Sequence, residues 1–160
     1  MIVFLDIDGV IATAKSYEEY PDRNDLLDRR CIQALNYLTN TLEAAIVISS
    51  TWRVEGLGVL KDKLKYAGVK AEVIGLTPRI EENQGKIILS KGRGREILKW
   101  IEQNEYKGDY VVIDDEISDI KNVIPESKII HTGRMAFSGK ALMIKHVDDF
   151  LNNRRKNAGT

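Results

Sequence analysis

The sequence predicts an α/β fold: a doubly wound, three-layer α/β/α sandwich around a mainly parallel central sheet. Two observations carry this. Five short apolar runs, rich in Ile and Val, stop abruptly at polar residues, as strands buried on both faces do. Helical patterns lie between them, and strands alternating with helices indicate parallel strands joined by crossovers. A chain of 160 residues fits one such domain.

The first run is residues 1–5 (MIVFL), ending at Asp6. A helix is expected at 28–38, with Cys31, Ala34, Leu35 and Leu38 on one face. The second run, 44–48 (AAIVI), ends in Ser49-Ser50-Thr51. A helix at 57–66 follows, placing Leu57, Leu60, Leu64 and Ala67 on one side. The weaker third run is 71–74. The next helical pattern, 95–101, carries Ile97, Leu98 and Ile101. The fourth run, 110–113 (YVVI), ends in Asp114-Asp115, and the fifth, 128–130, ends in His131-Thr132. A terminal helix starts near 148–151. Residues 1–152 are read as one domain and 153–160 as a flexible basic tail.

Composition narrows the function classes. Lys+Arg and Asp+Glu both number 24, so net charge makes no general case for nucleic acid or a membrane surface. No apolar run approaches a membrane span. The beginning, MIVFLDIDGV, lacks a basic leader and reads as a strand, so a cytoplasmic location is expected. With a single cysteine, Cys31, no internal disulfide can form, and a buried structural thiol is expected.

Parallel α/β sheets bind ligands at the carboxyl ends of their strands. Asp6, Asp8, Ser49, Asp114, Asp115, Asp119 and His131 should therefore converge on one edge. Asp6-Ile7-Asp8-Gly9 sets two carboxylates on a turn, where one can attack an electrophile and the other can handle a proton. As a bare motif it could equally be a turn built from common turn formers. A second acidic group at a later strand end weighs against that. So many anions in one place need a cation. Oxygen donors without a Cys or His cluster indicate a hard ion, Mg²⁺.

Taken together, these residues resemble the haloacid dehalogenase (HAD) superfamily of aspartyl-phosphate phosphohydrolases, with a Rossmann-like fold and a minimal cap. Asp6-x-Asp8-Gly-Val resembles its first motif, which implies Asp6 as nucleophile and Asp8 as acid/base. Ser49 resembles the second motif, a hydroxyl on the phosphoryl group. Asp114-Asp115 with Asp119 resembles the fourth. The resemblance implies Mg²⁺ held by Asp6, the Asp8 carbonyl and Asp115, with Asp114 or Asp119 in support. An Asp at position 8 favours a phosphatase over the ion-pumping ATPases, which carry Thr, and over dehalogenases, which lack this acid. The third motif supplies a cation, with Arg93 the first candidate, Arg95 the second, and Lys86 and Lys91 also open. Arg93-Gly94-Arg95-Glu96-Ile97 resembles a subgroup pattern, Arg-Gly-x-Glu-Ile.

Ser49-Ser50-Thr51-Trp52-Arg53 is similar to small phosphatase domains of nucleic-acid repair proteins and, more loosely, to polynucleotide kinase/phosphatases. Ser50, Arg53, Trp52 and Arg95 are thus candidate substrate contacts. Arg53 can fork onto a phosphate, whereas Trp52 suits either base stacking or ordinary packing. The stretch holding Tyr17, Tyr20, Pro21, Asp22 and Arg23 is long enough for a flap but not for a cap domain. The expected activity is Mg²⁺-dependent phosphomonoester hydrolysis, on nucleic-acid phosphate ends or, alternatively, on mononucleotides. A non-catalytic binding module of the same fold is the rival of another class. No protein partner is expected.

Overall fold

The computed structural model describes residues 1–19, 27–84, 87–90, 92–133 and 141–159. Five parallel strands form the central sheet: β1 (Ile2–Leu5), β2 (Ala45–Ile48), β3 (Val73–Leu76), β6 (Tyr110–Asp114) and β7 (Ile129–His131). Their order is β3-β2-β1-β6-β7. Each of the five apolar runs thus meets a strand, the third displaced by two residues to Val73–Leu76, and every pairing between them is parallel.

Helices α2 (Arg29–Thr41), α3 (Leu57–Ala67), α4 (Arg93–Gln103) and α5 (Ile144–Ala158) cover the sheet. Strand alternation divides the core between its two faces. Val3, Leu5, Ile46 and Ile48 pack with α2, α3 and α5 through Leu35, Leu38, Leu60, Leu64 and Phe150. Ile2, Phe4, Val47 and Val112 face the other way, onto Ile97 and Trp100 of α4. Phe4 meets Trp100 edge-on, with centroids 5.5 Å apart.

Asp28 opens α2 by accepting the Arg30 backbone N–H at 2.9 Å, a side-chain N-cap. On α4 the buried stripe is Glu96, Ile97 and Trp100, while Leu98 points outward, so the pattern there turns by one position from the sequence expectation. Helix α5 begins earlier than expected and continues through 153–158, so most of the basic tail is helical. Arg154 bonds Asp109 at 2.8 Å.

One helix and one pair of strands were not expected from the sequence. Helix α1 (Ala14–Glu19) occupies the start of the flap stretch. Strands β4 (Glu81–Gln84) and β5 (Ile87–Ser90) pair antiparallel as a separate hairpin between β3 and α4, a stretch to which the sequence assigned no element. Of the flap residues, Tyr20, Pro21, Asp22 and Arg23 lie outside the described residues, as do Lys86 and Lys91. Among the described residues, no helix is long and apolar enough to cross a membrane.

Candidate active site

Strand register decides which side chains meet. Leu5 lies level with Ile48 on one side and Ile113 on the other. The next residues, Asp6, Ser49 and Asp114, therefore emerge side by side at the carboxyl edge. β1 sits where the chain order reverses between β2 and β6, the position at which open α/β sheets form a ligand crevice.

Asp6 is nearly buried, and Asp114 is wholly so. Both carboxylates take the same guanidinium nitrogen: Arg93 Nη1 lies 2.9 Å from Asp6 Oδ2 and 2.6 Å from Asp114 Oδ2. Burial pushes the Asp6 carboxyl above its usual range, opposed by Arg93, the Ile7 backbone and the Ser50 hydroxyl. Burial, aided by the nearby Asp6 charge, also raises Asp114, again against Arg93. Burial works against the Arg93 charge too, but Asp114 and Asp6 more than offset it, so the guanidinium stays protonated.

Asp6, Asp114 and Asp115 each offer a carboxylate oxygen, all within 4.8 Å of one another. Three carboxyl groups are thus crowded together at a largely buried strand edge. The donor set is all oxygen, which fits a hard divalent cation such as Mg²⁺. Asp119 stands apart from this group. Its Oδ2 accepts the Gly94 N–H at 3.2 Å, at the start of α4.

Asp8 follows Asp6 on the loop, where its Oδ2 accepts the Trp52 indole N–H at 3.0 Å. Trp52 also packs against the core, and Lys63 lies over its ring. Gly9 adopts a φ of +73°. The loop is pinned by Gly9 N–H to Ala12 O at 2.9 Å and by the buried Thr132 hydroxyl donating to Gly9 O at 3.1 Å. His131 Nε2 lies 3.0 Å from the Asp115 carbonyl, which assigns the proton to that nitrogen.

The two serines differ. Ser50 is hydrogen-bonded through its hydroxyl to Asp6. The Ser49 hydroxyl is buried without a hydrogen-bond partner among the described residues, and the Ser49 N–H bonds Leu5 O at 2.9 Å. Arg53 lies on the 3₁₀ turn Thr51–Glu55, capped by the Ser50 side chain. Its guanidinium reaches Ser49 O at 2.9 Å, Thr77 Oγ1 at 3.2 Å and Glu96 Oε2 at 2.7 Å. Arg95 is exposed, whereas Arg93 points into the acidic group.

A cavity of about 340 Å³ opens beside this group. Arg53, Arg79 and Arg93 contribute to its lining together with Asp115, Glu116 and Asp119. Sequence reasoning met Glu96 only as part of the Arg-Gly-x-Glu-Ile pattern and gave it no role, and it did not single out Thr77. The signals available for Glu96 were that pattern and its place as an acid on the stripe that α4 buries.

Residues 2–137 match the sequence profile of a family described as the HAD domain in Swiss Army Knife RNA repair proteins. No curated protein and no solved structure matches the chain.

Proposed function

The chain belongs to the family of HAD domains in Swiss Army Knife RNA repair proteins, and from that premise we propose that it is a Mg²⁺-dependent phosphomonoester hydrolase working through a phosphorylated Asp6. The observation that carries the reading is the Asp6 carboxylate, buried at the sheet's switch point with Arg93 at 2.9 Å and two further carboxylates within 4.8 Å.

In this reading an Asp6 oxygen attacks phosphorus in line with the ester oxygen. Arg93 offsets the charge that the three equatorial oxygens carry in the transition state. Ser49 and Ser50, at the end of β2, hold the phosphoryl group. Asp8 gives its proton to the leaving oxygen, then takes one from the water that cleaves the aspartyl phosphate. The Trp52 N–H on Asp8 Oδ2 helps hold the Asp8 carboxyl in orientation for that exchange. Asp6, Asp115 and the Asp8 carbonyl would hold Mg²⁺, supported by Asp114. When bound, the ion cancels negative charge and polarises the phosphoryl oxygens.

The substrate we propose is a phosphorylated nucleic-acid end. The family's description and the open cavity beside the site support it. Hydrolysis of an aryl phosphate, with Mg²⁺ and with chelator, tests the reaction class. Activity should require the metal and vanish in Asp6→Asn, and undiminished turnover by that variant would refute the proposal. Oligonucleotides carrying a 5′- or 3′-phosphate, assayed beside mononucleotides, test the substrate. Preference for mononucleotides would make the protein a nucleotidase instead.

A further inference from the structure

Arg53 and Glu96 form an ion pair of 2.7 Å that is largely withdrawn from water, with side-chain exposures of 13% and 2%. Withdrawing two charges from solvent carries a desolvation cost that their attraction barely repays, so such a pair is a weak source of stability. What this pair does have is reach. Arg53 Nη1 bonds the Ser49 carbonyl at 2.9 Å and the Thr77 hydroxyl at 3.2 Å, while Nη2 bonds Glu96. The other Glu96 oxygen, Oε1, accepts the Ile80 backbone N–H at 3.2 Å. One pair thus ties together the turn after β2, the segment after β3, and α4.

The attachment points bear on the site. Ser49 opens the turn whose next residue, Ser50, touches Asp6. Glu96 lies three residues, about one helical turn, beyond Arg93 on α4. Three of the five N–H donors of an arginine are committed to protein acceptors here.

We infer that Arg53 and Glu96 are positioning residues, which set the distance between the Ser49-Ser50 turn and Arg93 rather than contacting the substrate. The inference rests on the phosphatase reading above. A direct phosphate contact would be a property of Arg53 alone; a positioning pair makes Arg53, Glu96 and Thr77 one unit.

The test is the steady-state hydrolysis of an aryl phosphate with Mg²⁺ by the full chain and four variants: Arg53→Met, Glu96→Gln, their combination, and Thr77→Val. Each preparation is first shown folded by near-ultraviolet circular dichroism at the assay temperature. Loss of alignment in a phosphoryl cradle should lower kcat roughly 10- to 100-fold in each charged-pair variant, with KM nearly unchanged. The double variant should be no worse than the poorer single one, within about twofold, because both changes break one unit. Thr77→Val leaves every charge in place and should lower kcat by about twofold to fivefold.

A raised KM confined to Arg53→Met, with Glu96→Gln kinetically normal, would overturn the inference in favour of direct contact. Folded variants with the wild-type kcat would overturn it in favour of a purely structural role. Should Arg53→Met fail to fold, Arg53→Lys and Thr77→Val decide on the same kcat criterion. Wild-type protein that hydrolyses no phosphate ester would refute the phosphatase reading, and the inference falls with it. An active wild type with additive variant effects defeats the inference alone.

Discussion

Gly9 lies between the two aspartates of the first loop and the Asp115 side chain, and replacing it with alanine perturbs one without touching the sheet. Its φ of +73° lies in the left-handed region. A non-glycine residue there costs about 1–2 kcal/mol. The larger effect is steric. An added Cβ would stand 2.6 Å from Asp115 Cγ and closer still to its Oδ2. That is about 1 Å inside an ordinary contact distance.

The loop cannot retreat easily, because Thr132 and Ala12 hold Gly9 by its carbonyl and its N–H. Asp115 must therefore swing away and leave the group it forms with Asp6 and Asp114. Gly9→Ala should raise the half-saturating Mg²⁺ concentration for phosphate hydrolysis about 10- to 100-fold, the range seen when a ligand's support is disturbed. Gly68→Ala is the control. It has a φ of +98° and nothing within 4 Å of an added Cβ, so it carries the backbone strain without the clash. It should lose stability and keep the wild-type metal requirement. A folded Gly9→Ala protein with wild-type Mg²⁺ dependence would refute the reasoning.

Three further predictions follow from the same site and core. Asp6 and Asp114 are raised mainly by burial, so the folded chain binds their protons more tightly than the unfolded one. Their stabilising contribution is complete below the unfolded value, about pH 4, and is lost as pH rises through the higher folded values. Metal-free thermal stability should thus fall between about pH 5 and 8, with a shallower slope in Asp114→Asn; an unchanged slope would contradict it. Trp52→Phe removes the N–H donated to Asp8. Since an ordinary hydrogen bond is worth about 0.5–1.5 kcal/mol, kcat should fall about two- to tenfold while the fold persists; a wild-type kcat would deny that link a role. Burial, with a smaller contribution from the Asp28 charge, pushes the Cys31 thiol up to about 12. A disulfide reagent should label it only on unfolding, and rapid native labelling would show that α2 opens.

The strands were legible because a central parallel strand must be apolar on both faces, and 44–48 and 110–113 read that way without ambiguity. The hairpin was not. Its first strand, Glu81-Glu82-Asn83-Gln84, contains residues depleted in strands, and its pairing depends on the partner segment rather than on local preference. At the site, Asp6, Asp114 and Asp115 were placed by the rule that ligands gather at strand ends. Arg93 was preferred to Arg95 only on the Arg-Gly-x-Glu-Ile pattern; two residues apart on a helix they point in different directions, and the start of α4 decides which one faces Asp6. The Trp52–Asp8 and Arg53–Glu96 contacts span 44 and 43 residues. Such pairs arise from topology, and nothing local in Trp52 or Arg53 distinguishes a substrate contact from a protein one.

The central claim is that Asp6 becomes covalently phosphorylated. Mixing the protein with excess aryl phosphate and Mg²⁺, quenching in acid within the first turnovers and weighing the peptide that contains Asp6 tests it most directly. The account predicts a peptide heavier by one phosphoryl group, present in wild type, absent in Asp6→Asn and accumulating further in Asp8→Asn, where water is no longer activated. Metal-dependent hydrolysis with no adduct on that peptide, or full activity without Asp6, would contradict it.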